Sequence, residues 1–300
     1  MKNKLLGTLY LIVAVLIWGS TFVAQSVGMD SLGPFTFQTC RCILAVAFLV
    51  PAIALFERKD LKNYFRKWLD KKLWFAGALC GIALFAAASL QQVSLVHTDA
   101  GKAGFLTALY VVLVPVIGLF LGKKLQANVM VSIILAVVGS YLLADVREGS
   151  INIYDLMLLG CALCFSVQIT LVDRYAPVVD CLRLNCIQCF VTLVLSAIAM
   201  ALTEEPQMGA IVSCWLPLGY AGILSMGVAY SLQVLGQEKV EPTTASIIMS
   251  MESVIAVLSG WLVLNETMSD KELWGCVIMF LALILSQIPI SRRAPLKTNY

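Results

Sequence analysis

Charge is scarce in this chain. Lys, Arg, Asp and Glu make up 13% of 300 residues, and there is one histidine, His97. A soluble domain carries about twice that charge, and a disordered chain needs a polar, charged composition that is absent here. No collagen-like glycine period occurs. The net charge of +3 is too small to imply a nucleic-acid partner. The phosphate-binding pattern G-x-x-x-x-G-K-[ST] is missing. Gly118, Gly122, Lys123 and Lys124 read as a helix end, so ATP does not drive the protein directly. No Ser/His/Asp set and no metal-ligand set can be assembled, and His97 falls in a short connection. What is plentiful is apolar: 60% of residues are hydrophobic and the mean hydropathy is +0.89. That composition is a polytopic membrane protein's.

The ten cysteines lie inside or at the ends of apolar runs. Cys161/Cys164 and Cys186/Cys189 have C-x-x-C spacing, but they sit in continuous apolar helices with no second ligand pair at zinc-finger distance. Small, soft apolar residues are the simpler reading, and a secreted disulfide scaffold is excluded.

A helix needs about 20 apolar residues to cross a bilayer. Ten stretches qualify: 5–26, 33–55, 73–96, 99–121, 127–145, 154–174, 181–203, 213–236, 242–264 and 270–290. The first is too long for a signal-peptide core and has no small-residue cleavage site. With the N-terminus inside, 17 Lys and Arg fall on the cytoplasmic side and three (Lys102, Arg147, Lys271) on the other. The positive-inside rule then places both termini in the cytoplasm. The connection 57–72 spaces Leu61, Tyr64, Phe65, Trp68 and Leu69 helically among basic residues, which predicts an amphipathic helix on the inner leaflet.

The halves repeat. Ser89-Leu90-Gln91 recurs as Ser231-Leu232-Gln233, 142 positions on, and Leu121-Gly122-Lys123 matches Leu264-Asn265-Glu266, 143 on. A five-helix unit is odd in number, so the second copy enters the membrane from the opposite side. The fold expected is therefore all-α: ten transmembrane helices as two inverted five-helix repeats, residues 1–148 and 149–300. Such symmetry gives a protein two similar gates and is a transporter architecture.

Particular residues carry a resemblance as well. The run Ala14 to Phe22, with Trp18-Gly19-Ser20-Thr21, resembles the helix 1 signature of the EamA family in the drug/metabolite transporter superfamily. Pro34-Phe35 followed by Arg41 is similar to its helix 2, and Ala103 to Pro115 resembles helix 4 of one branch. Met251-Glu252-Ser253 through Leu264-Asn265-Glu266 is similar to the family's E-P…L-G-E pattern, with Ser253 in place of Pro and Asn265 in place of Gly. Lys123-Lys124 stands where the first half usually has Gly-Glu. The resemblance covers the whole chain. It implies ten helices, two inverted repeats and a central cavity, in a family that exports amino acids and other metabolites and whose relatives carry nucleotide sugars or drugs.

Ionisable groups at membrane depth are costly and mark function by default. There are two, Glu252 in helix 9 and Arg41 in helix 2. If they pair, Glu252 has a structural or substrate-binding role; if they do not, it is free to couple proton movement. Sequence leaves that open. Further cavity candidates are Trp18 and Thr21, which share a face with Ala14 and Gln25; Gln91 in helix 3; Tyr110, one turn before a kink at Pro115; Gln168; and Tyr230 and Gln233 in helix 8. An offset of 147 equates Trp18/Thr21 with Phe165/Gln168. Gln91 is placed toward the outer mouth and Gln233 toward the inner one. The G-x-x-x-G pairs Gly77/Gly81 and Gly118/Gly122 are assigned to packing within the chain.

The function expected is secondary transport, outward, of a small polar metabolite such as an amino acid by alternating access in a bacterial cytoplasmic membrane. The protein is expected to act as a monomer, with the lipid bilayer and a small-molecule substrate as its partners and with no cofactor or metal. Efflux of cationic compounds with Glu252 as a shared proton and cation site is the alternative. From another class, an intramembrane enzyme or a signalling scaffold is the competing reading.

Overall fold

A computed structural model describes residues 2–58, 61–98, 100–123, 125–143, 152–263 and 269–288. Lys124, Arg147, residues 264–266 and the C-terminal Arg292, Arg293 and Lys297 of the sequence argument lie outside them. Among the described residues the only regular structure is helical. The helices are α1 (Lys2–Met29), α2 (Pro34–Phe56), α3 (Leu61–Trp68), α4 (Lys71–Leu95), α5 (Ala100–Ala108), α6 (Tyr110–Phe120), α7 (Ala127–Leu143) and α8 (Ile153–Tyr175). They continue with α9 (Cys181–Thr203), α10 (Met208–Ser213), α11 (Trp215–Gly219), a π-helical stretch Tyr220–Ala229, α12 (Tyr230–Gln237), α13 (Pro242–Met249), α14 (Glu252–Val263) and α15 (Asp270–Gln287).

Eight helical runs are long and apolar enough to cross a membrane. Two further helices fall short for different reasons. The apolar helix α7 has 17 residues, and α15 opens with Asp270, Lys271 and Glu272. Each packs chiefly on the other.

Three spans are not continuous rods. The expected kink at Pro115 is instead a break at Leu109, before Tyr110. Proline removes a helical N–H and crowds the carbonyl four residues back, and the chain relaxes in the turn upstream. The stretch 242–264 breaks at Ser250–Met251 although Ser253 replaces the usual proline. The eighth stretch is α11, the π-helical segment and α12 in series, with α10 just ahead of it. Each π turn inserts a residue and re-aims the side chains that follow.

The packing is the same when the halves are exchanged. Helix α1 lies against α13–α14 and against the π segment with α12. Correspondingly, α8 lies against α5–α6 and against α4. Likewise α2 packs on the π segment as α9 packs on α4, while α2–α9 and α7–α15 are each their own counterpart. Close approach of α4 and α9 uses Gly77 and Gly81, where a Cβ would meet Ile187 at 2.5 Å and Val191 at 2.7 Å. The pair Gly118/Gly122 does not serve packing. A Cβ on Gly118 would meet only Lys123, at 3.8 Å, and Gly122 ends α6 at φ 78°, where glycine is the natural residue.

The predicted amphipathic segment is the short α3. Its side chains divide: Phe65 and Leu69 beside it are exposed, while Tyr64 is buried and Trp68 half-buried.

Candidate functional site

Two of the three broken spans, α5–α6 and α13–α14, have their breaks beside one small cavity, about 50 Å³ in volume. That is room for a few waters rather than a metabolite. Tyr110 opens α6 and Glu252 opens α14. They stand 142 positions apart, the spacing that relates Gln91 to Gln233, and the Tyr110 hydroxyl donates to Glu252 Oε1 at 3.0 Å. Glu252 is 8% exposed, and among the described residues no other donor bonds its carboxylate. Discontinuous helices meeting at a central polar site are how many transporter folds expose backbone and side-chain groups to cargo.

Arg41, 3% exposed, lines the same cavity. Its Nη1 donates to Gln25 Oε1 at 2.6 Å and Nη2 to Gln38 Oε1 at 3.4 Å, the guanidinium lies 5.8 Å from the Phe37 ring centre, and Nε has no partner. Among the described residues Arg41 forms no ion pair. The two deep charges therefore share a cavity without pairing. The same wall carries an aromatic pair, Trp18 and Tyr230, edge to face at 4.8 Å.

The position related to Arg41 by an offset of 147 is Gln188, and here the polar groups close on themselves. Gln188 donates to Asn185 Oδ1 at 2.8 Å and accepts from Gln168 at 3.2 Å. Gln168 and Gln233 exchange bonds at 3.5 and 3.1 Å.

Each end of the α2–α9 pair is tied. At one end Glu57, just past α2, accepts from Arg183 of α9 at 2.6 and 3.1 Å, and Arg183 also bonds Asp180 at 3.0 Å. The Tyr64 and Trp68 rings flank Arg183, each 5.2 Å from its guanidinium, and Arg183 has 0% exposure. The Arg183 hydrogen bonds, followed by that from Lys67 at 2.6 Å, hold the Glu57 carboxyl down at about 2. At the other end Glu204, just past α9, accepts from the Phe35 and Thr36 amides at 2.8 Å and from the Thr36 hydroxyl at 2.6 Å. It thus caps α2 from outside, where a helix N-terminus favours an anion. An offset of 147 maps Glu57 onto Glu204 and Thr36 onto Arg183.

The sequence profile of the EamA-like transporter family matches residues 5–144 and 152–287. The chain belongs to that family. A transporter of Archaeoglobus fulgidus without an assigned substrate is 31% identical over 291 residues, covering 96% of this chain and 88% of the relative. The threonine/homoserine exporter RhtA of Salmonella typhimurium is 31% identical over 83 residues, 27% of this chain and 28% of its own. A solved crystal structure superposes with a TM-score of 0.76 at 20% identity, covering 94% of this chain and 96% of the other, which shows a shared fold. This EamA-like transporter is thus a multi-pass membrane protein.

The structure brings most of the residues singled out from sequence to one place. Trp18, Thr21, Arg41, Gln91, Tyr110, Tyr230, Gln233 and Glu252 of the EamA-like transporter all line the cavity. Gln168 does not; it stands behind the wall, holding Gln233. Gln38, Asn185 and Gln188 were not singled out, nor was either end tie. The offset of 147 already used for Trp18 would have led from Arg41 to Gln188 and from Glu57 to Glu204, but not from either to Gln38, Asn185 or Arg183. His97 stacks on Tyr154 with ring centres 4.2 Å apart, and neither residue lines the cavity.

Proposed function

We propose that this protein is a secondary transporter that moves a small polar metabolite, such as an amino acid, outward across a bacterial cytoplasmic membrane by alternating access. The observation that carries the reading is the meeting of two repeat-related broken helices, at Tyr110 and Glu252, beside a small, mainly apolar cavity whose wall also carries Arg41, Gln25, Gln91 and Gln233. The full arrangement is ten spans in two inverted repeats, with α7 and α15 completing the eight longer runs. The exchange of neighbours between the halves supports it, and an odd number of helices per half puts the pseudo-twofold axis in the membrane plane. Gln91 then belongs toward the outer mouth and Gln233 toward the inner one.

In this arrangement the Glu57–Arg183 tie is the cytoplasmic gate and the Glu204–Thr36 tie the outer gate. With both made, the cavity is small; releasing one opens one side. Efflux of purely cationic compounds is less well supported because Arg41 stands in the same wall. An enzyme or scaffold finds no support in the family.

The test places a reporter, Ser225→Cys, in the cavity wall of a variant whose native cysteines are replaced. In right-side-out vesicles, Glu204→Ala should raise its labelling by an impermeant maleimide added outside. Glu57→Ala should raise it only in inverted vesicles. Labelling that rises equally from both sides in either variant would refute alternating access through these gates. Flux of a metabolite panel in proteoliposomes tests transport itself.

A further inference from the structure

Two opposite charges, Arg41 and Glu252, face one cavity without forming an ion pair. Burying a charge is costly unless it is paired, and pairing with each other would answer both. The structure avoids it. Gln25 and Gln38 hold the guanidinium by two bonds, leaving Nε free, and Tyr110 holds the carboxylate by one oxygen, with no donor to the other among the described residues. Neutral amides and a phenol orient the charges without cancelling them. The other half shows the alternative: at the position related to Arg41, Gln188 completes a neutral amide network and presents no charge.

We infer that Arg41 and Glu252 are the two ends of a clamp for a zwitterion, with Arg41 receiving the cargo's carboxylate and Glu252 its ammonium. An ion that carries only one of these charges leaves the opposite wall charge buried and unanswered. A molecule carrying both satisfies both, and the cavity stays neutral with cargo and without it. This rests on the transporter reading and narrows it to solutes with a carboxylate and an amine, amino acids above all.

Counterflow in proteoliposomes tests the clamp. The labelled probe is L-threonine, with the other neutral L-amino acids as companions. Competitors are threoninamide, which lacks the carboxylate, N-acetylthreonine, which lacks the ammonium, and a betaine, whose quaternary nitrogen cannot donate a hydrogen bond. Each of the first two should compete roughly tenfold to hundredfold more weakly than the zwitterion, the range expected for one charge-assisted bond. The variants should then cross. Arg41→Gln should make the amide equal to the zwitterion while still rejecting the N-acetyl form; Glu252→Gln should do the reverse. A betaine that competes as well as threonine assigns the cationic end to charge alone and keeps the clamp.

Equal competition by all three threonine forms in the wild type would overturn the inference, as would variants that relax both ends alike. Should a variant fail to fold, the wild-type series decides alone. Accumulation of tetraphenylphosphonium with no zwitterion taken up would reject the clamp and leave the transporter standing. Failure of every amino acid, cation and sugar tested would remove both.

Discussion

Arg41 and Gln188 occupy matching positions 147 residues apart, yet one half keeps a charge there and the other does not. Around Arg41, Gln25 and Gln38 donate nothing to the guanidinium and only accept from it, so the positive charge remains available to the cavity. Around Gln188, Asn185 and Gln168 complete a closed run of amides that reaches Gln233. The end ties differ in the same sense. Glu57 meets a buried guanidinium, whereas its counterpart Glu204 meets two amides and a hydroxyl. Matching positions fix where polar groups stand. The side chain present decides whether a group anchors the fold or faces a ligand.

The largest expected effect comes from forcing the halves to be alike. Gln188→Arg puts a second cation into a site of 0% exposure whose side-chain partners among the described residues are the amides of Asn185 and Gln168, not carboxylates, so little or no monodisperse protein should be recovered from detergent. Recovery at the wild-type level would mean that the halves are interchangeable in charge and the comparison is void.

Next come the ties. Glu57→Gln leaves Arg183 buried with Asp180 as its remaining carboxylate, and should cost about 3 kcal/mol, the low end for breaking a buried pair. Glu204→Gln removes a charged cap and should cost about 1 kcal/mol. Unfolding in detergent titrated with denaturant would measure both, and equal losses would erase the distinction between the ends.

Acid sharpens the same contrast. The Glu57 carboxyl is held at about 2 by Arg183, below the usual 4.3 of an unfolded Glu. Its contribution is therefore present above about pH 4.3 and is lost as pH falls through about 2. The stability gap between wild type and Glu57→Gln should be full at pH 7 and shrink steadily below pH 4. A gap that stays constant to pH 2 would show that Glu57 acts by shape, not charge.

The smallest effect is at Lys67, which pairs with Glu57 at 2.6 Å but has a side chain 41% exposed. Lys67→Ala should cost no more than about 0.5 kcal/mol and less in salt. A loss as large as that of Glu57→Gln would promote Lys67 from a bystander to a member of the tie.

Much of the candidate site could be read directly from the chain. Trp18, Gln91, Tyr230 and Glu252 stand out because a polar or amphipathic group inside an apolar run is expensive in lipid, and selection retains it only where something repays the cost. The same membrane context conceals Glu57, Arg183 and Glu204. They sit at helix ends, where charges are ordinary, and nothing local separates a tie between helices from a solvated loop. Gln168 shows the converse limit. Its helical spacing puts it on the right face of α8, but only packing reveals that its amide is spent on Gln188 and Gln233.

By itself the sequence determined the helical, membrane-spanning class, the repeat and the roster of buried polar groups, because the bilayer prices each residue separately and hydropathy and spacing record that price. The tertiary structure decided that Tyr110 touches Glu252, that Arg41 does not, and where α6 and α14 begin. Those outcomes depend on distances between helices more than a hundred residues apart, and no local periodicity encodes them.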